Sequence, residues 1–241
     1  MPMTPWLRNS SATLVLVFLT GPAFVHAQAR RAVGTVESAV DALKDSASIP
    51  EKGIPQELLR EAEAVAIIPD VIKVGFVVGG RHGKGVVLIK DKDGNWTSPI
   101  FVTVTGGSIG WQAGAQATDV VLVFKTKKSV ERILKGKDKF TLGADAAVAA
   151  GPLGRQAAAA TDVQLKAEIY SYSRSRGLFA GVSLDGSALR IDNRSNEAFY
   201  RRQDISTSDI VSGKGIKDVP EPTVKLIELL TNLGTEPQQK K

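Results

Sequence analysis

The chain has no cysteine and only two histidines among its 241 residues. Without cysteine there is no thiol nucleophile, no disulfide and no lipid-modified cysteine at the N-terminus. His26 sits in a segment expected to be removed, which leaves His82. One histidine cannot supply a two-histidine zinc site within one chain. Aromatic residues are scarce, at 6%. Charged residues reach only 23%, against 43% hydrophobic, so the chain has the composition of a folded domain. Long apolar runs are missing too. The longest stretch, Ala12 to Leu19, is interrupted by Thr13 and is too short for a comfortable membrane span.

That stretch reads as the apolar core of an export signal. Arg8 provides the positive region before it, and Val25-His26-Ala27 has the small-x-small form of a cleavage site. The expected organisation is a signal peptide over 1–27, a domain over 28–234 and a polar tail over 235–241. An uncleaved anchor is the alternative. The expected location is exported, periplasmic or envelope-associated, after cleavage near Ala27. The formal charge of +6 favours anionic partners.

What is present is a helix, then strands, then helices. Arg30-Arg31 opens a stretch over 30–48 in which Val33, Val36, Val40 and Leu43 fall on one helical face. Such a helix can lie in a bilayer interface with its basic end among headgroups, although Glu37, Asp41 and Asp45 oppose strong insertion. It can equally dock on its own sheet. Pro55 opens a second short helix. Ala64 to Ile68 reads as a strand stopped by Pro69. Lys73 to Gly79 and Gly85 to Lys90 read as strands around a Gly80-Arg81-His82-Gly83 turn. Trp96 to Thr105, Ser108 to Ala115 and Asp119 to Phe124 read as three more. Thr126 is a candidate N-cap for a helix over 129–134. Three further strands are expected over 164–172, 178–184 and 187–192, then helices over 195–201 and from Pro220 onward. Short connections favour antiparallel pairing. The expected fold class is α+β, with a curved antiparallel sheet or barrel-like β core and flanking N- and C-terminal helices.

Catalytic and nucleotide motifs do not form. "GGRHGKG" at 79–85 places Gly85 where a phosphate loop needs Ser or Thr, and "TGGSIGWQAG" at 105–114 is not a dinucleotide fingerprint. The carboxylates Asp119, Asp145, Asp162 and Glu168 lie near apolar runs and could form a general acid–base pair. Turn caps and arginine pairs account for them equally. No catalytic residue, metal or cofactor is assigned. "SYSRSRGLFAG" is the best candidate binding segment. Arg174 and Arg176 could hold phosphate while Leu178 and Phe179 touch the bilayer boundary. Arg81 and Lys84 form a second candidate.

Four ordered blocks carry a resemblance: "AVAIIPDVIKVGFVVGGRHGKGVVL", "GGSIGWQAGAQATDVVLVF", "LGADAAVAAGPLGR" and "AEIYSYSRSRGLFAGVSLDGS", with "NEAFY" closing. They resemble the SYLF domain family over about residues 33–233. The resemblance implies a non-enzymatic module for phosphoinositides and other anionic phospholipids, with no cofactor. It also implies actin binding in some eukaryotic members. Arg174 and Arg176 stand where lysine is frequent in the family. Arginine keeps the charge and adds a planar donor fork. The expected partner is therefore anionic phospholipid at a membrane surface. Nucleic acid is not expected, actin is set aside for an exported protein, and any protein partner is unknown. The alternative is an envelope scaffold that binds protein and no lipid.

Overall fold

A computed structural model describes residues 22–47, 53–75, 78–109, 114–135, 139–151, 166–175, 178–181, 184–216 and 218–235. The chain is α+β. Nine strands form one sheet among the described residues, curled into a half-barrel. They are β1 (Ala64–Gly75), β2 (Val78–Ile89), β3 (Ile100–Ile109), β4 (Gly114–Phe124), β5 (Phe140–Thr141), β6 (Val148–Ala150), β7 (Ile169–Ser175), β8 (Leu178–Gly181) and β9 (Ala188–Ile191). The order is β5-β9-β3-β2-β1-β4-β7-β6, with β8 on the outer half of β7. All pairs are antiparallel except β6 with β7, which sequence reasoning did not anticipate. The helices are α1 (Pro22–Ala47), α2 (Gln56–Arg60), α3 (Lys127–Lys135), α4 (Asn193–Tyr200), α5 (Thr207–Val211) and α6 (Glu221–Gly234). Among the described residues, no helix is long and apolar enough to cross a membrane.

Both sheet faces are covered. Alternation along β1 sends Val65 and Ile67 to a first face and Ala64, Ala66 and Ile68 to a second. The first face packs under α1, α2, α6 and Phe199 of α4. The second packs under Val130 and Ile133 of α3 and Ile210 of α5. Helix α1 is longer than its stripe predicts and runs unbroken across Ala27. Thr126 does cap α3, its hydroxyl accepting from the Ser129 N–H at 3.2 Å.

Three expectations about the sheet are corrected. Pro69 does not end β1, because a bulge between Ile68 and Val71 absorbs it. Proline lacks a ladder donor, and a bulge needs none there. Asp70 takes φ 48° within that bulge. The Gly80-Arg81-His82-Gly83 stretch is not a turn but the middle of β2. Its neighbouring glycines serve close approach: a Cβ on Gly85 would collide with the Ile67 carbonyl oxygen, and one on Gly83 would meet Val71 at 2.8 Å. Finally, the segments read as three strands over 96–124 are the two strands β3 and β4.

Candidate functional site

Strand β7 places Tyr170 and Tyr172 in the first-face core, and Arg174 follows at the next position on that face. Its guanidinium is met by two carboxylates. Nη1 lies 3.4 Å from Asp119 Oδ2 on β4 and also pairs with Asp45 near the end of α1. Asp119 additionally accepts from the Asp70 backbone N–H at 3.1 Å. In this arrangement Arg174 clamps α1 to the sheet instead of presenting its charge to a ligand. Leu178 and Phe179 lie on β8, with Phe179 opposite Arg174 in the ladder. Arg176, and the side chains of Leu178 and Phe179, lie outside the described residues.

The stripe proposed for a membrane helix is occupied. Val36, Val40 and Leu43 are buried in the first-face core, and Val33 packs against it. Helix α1 rests on β1 and β2 between α4 and α6. A stripe covered by protein has no surface left for acyl chains, so in this structure the helix docks. Arg30 and Arg31 stay exposed at its basic end.

The carboxylates are engaged separately. Asp145 Oδ2 accepts from the Thr141 N–H at 2.5 Å, and Glu168 pairs with Arg132 at 3.5 Å. Asp162 lies outside the described residues. Lys84, the second candidate's other cation, donates to Asp192 Oδ2 at 2.9 Å. Burial pushes the Asp192 carboxyl up, but hydrogen bonds from Lys84 and Ser195 outweigh it and hold it below the usual carboxylate range.

The far ends of β1 and β2 are different. Beyond the bulge, Val71 still faces the second core, so alternation sends Lys73 to that face and Ile72 and Val74 to the first. No helix covers this end. Ile72 and Val74 are 51% and 54% exposed, and Lys73 is exposed between them. Arg81 stands directly opposite Lys73 in the ladder. Among the described residues neither cation has an ion-pair partner, whereas Lys84, Arg132, Arg174 and Arg202 all do. Arg81 is half-buried, its Nε has no hydrogen-bond partner, and burial pulls its guanidinium below the ordinary value. Sequence reasoning named Arg81 and missed Ile72, Lys73 and Val74. The signal was there in the alternation of apolar and basic residues just past Pro69.

Comparison with known proteins gives a consistent family. A model of the Ysc84 family, described as a Las17-binding protein actin regulator, matches residues 105–233. SH3 domain-containing YSC84-like protein 1 is 39% identical over 173 residues in both Rattus norvegicus and Homo sapiens. The match covers 72% of this chain and 49% and 48% of those proteins. Protein YSC84 of Saccharomyces cerevisiae is 36% identical over 179 residues, 73% of this chain and 37% of that protein. The chain thus spans about half or less of these relatives' length. No solved structure matches. One expectation is overturned: actin cannot be set aside, because the matching family is described as an actin regulator and a further relative is named LAS seventeen-binding protein 3.

Proposed function

Because the chain belongs to the Ysc84 family of SYLF domains, we propose that it is a non-enzymatic binding domain whose ligand is an anionic phospholipid surface. The observation that carries this reading is the uncovered end of β1 and β2. There, exposed Ile72 and Val74 alternate with Lys73, and both Lys73 and Arg81 lack an acid partner. Apolar side chains that enter the headgroup boundary and cations that meet its phosphates are the two parts of an interfacial contact. Each basic residue at an anionic surface contributes about 1 kcal/mol, so two cations give a weak, salt-sensitive attraction that the apolar pair reinforces.

Co-sedimentation with vesicles tests it. The chain is expected to bind anionic vesicles at low salt, to release at high salt and to ignore neutral ones. Lys73→Glu is expected to lower binding about tenfold or more, since it replaces an attraction with a repulsion. Equal binding to neutral vesicles, or none to either, would sink the reading.

The family description favours a second reading, a protein partner in the actin pathway. Co-sedimentation with filamentous actin, without lipid, tests it directly. Export with cleavage near Ala27 is a further proposal, checked by the N-terminus of the protein recovered outside the cytoplasm.

A further inference from the structure

The uncovered strand end carries a more specific chemistry on its second face. Cross-strand partners form a row there: Gln116 on β4, Lys73 on β1, Arg81 on β2 and Gly106 on β3. Directly opposed residues lie about 4.5–5.5 Å apart at their Cα atoms, so Lys73 and Arg81 bring two positive charges side by side. Like charges so placed destabilise a sheet. Asp70, the nearest acid in sequence, makes no ion pair with either. A cation pair kept without a counter-charge is short of an anion.

The row continues past Arg81 to a buried hydroxyl. Gly106 has no side chain, and Ser187 folds over that position: a Cβ on Gly106 would come within 2.7 Å of Ser187 Oγ. Ser187 is fully buried, yet its Oγ has no hydrogen-bond partner. Among the described residues, four buried side-chain polar atoms lack a partner, and Arg81 Nε and Ser187 Oγ are two of them. Leaving such groups unpaired costs stability, and two of them fall on neighbouring positions of one ladder row. Both can donate a hydrogen bond.

We infer that Lys73, Arg81 and Ser187 form a binding site for a terminal phosphate. The inference rests on the lipid-binding reading and names the headgroup: a phosphomonoester rather than a phosphodiester. Two facing cations match the charge of a monoester, about −1.5 to −2 at neutral pH, better than the single charge of a diester. The Ser187 hydroxyl and Arg81 Nε supply charge-assisted hydrogen bonds to its free oxygens. Ile72 and Val74, on the opposite face of the same strand, set the depth at which the strand end meets the bilayer.

The test uses the full chain with phosphatidylcholine vesicles that carry either phosphatidic acid, a monoester, or phosphatidylglycerol, a diester, at matched surface charge. The parent is expected to favour phosphatidic acid about tenfold. Ser187→Ala and Arg81→Gln are expected to erase that preference while keeping salt-sensitive binding to phosphatidylglycerol. Ser187→Ala should also raise Tm by about 2–4 °C, because it removes an unpaired buried hydroxyl. Losing affinity while gaining stability distinguishes a site from a packing position. Equal binding of both lipids by the parent, or an unchanged preference in Ser187→Ala, would overturn the headgroup site and leave the lipid reading standing. If no vesicle binds but inorganic phosphate raises the Tm of the parent and not of Ser187→Ala, the phosphate site holds and lipid as its source fails. No response to vesicles or phosphate overturns both.

Discussion

Replacing Leu43 with alanine decides whether α1 belongs to the fold or to a membrane. Leu43 is 0% exposed in the first-face core. Helix α1 is held by β1 and β2 beneath and by α4 and α6 beside it, so the cavity cannot close by a simple shift of the helix. Leucine-to-alanine changes in cores cost about 2–5 kcal/mol, and a site this confined falls near 3 kcal/mol. For a chain of this size each kcal/mol moves Tm by about 2–4 °C, which gives a drop of about 6–12 °C. Circular dichroism melts without lipid measure it, and vesicle co-sedimentation below the new Tm measures binding. Docking predicts a large fall in Tm with binding unchanged. An unchanged Tm together with weakened vesicle binding would refute the reasoning, since it would mean that the stripe faces acyl chains.

Arg174→Met should cost about 1–3 kcal/mol in urea unfolding. That is less than breaking a fully buried pair, because Asp45 is half exposed and solvent screens it. Adding Asp119→Asn should recover part of the loss, since one uncompensated carboxylate goes with it. Gly151→Ala would drive a methyl into the ring of buried Tyr172, and a loss of about 3 kcal/mol or failure to fold is expected in the same assay. Asp192 sits below the ordinary aspartate value in the folded state. Its stabilisation is therefore fully present above about pH 4 and is lost as pH falls through the folded value. Asp192→Ala should flatten that acid limb of Tm against pH and, by removing the α4 cap on the Ser195 N–H, cost about 1 kcal/mol at neutral pH.

The sequence made the helices legible where their signals were local. The α1 stripe follows from the 3.6-residue period. Helix α4 was expected within two residues of its start. Helix α5 was missed although Ser206 and Asp209 form a capping box that spacing alone could have suggested. The sheet was harder, because glycine and proline have two meanings. Pro69 reads as a stop and is part of a bulge. Gly83 and Gly85 read as turn residues and in fact let β2 pass against Ile67 and Val71. That misreading placed Arg81 on a loop and hid its pairing with Lys73. Ser187 was out of reach altogether, since its isolation depends on a chain that folds back over Gly106 from 81 positions away in sequence. Arg174 was singled out for its charge, but the acids that neutralise it lie on α1 and β4, far from it along the chain.

The bulge in β1 acts as a frameshift. Upstream of it the odd-numbered Val65 and Ile67 take the first face, and downstream the even-numbered Ile72 and Val74 do. One surplus residue lets a single strand be read in two phases. Its root sorts grease from grease between two cores, and its tip sorts grease from charge. Without that slip, Lys73 would share the face of α1, and the opposing cations of Lys73 and Arg81 would never meet.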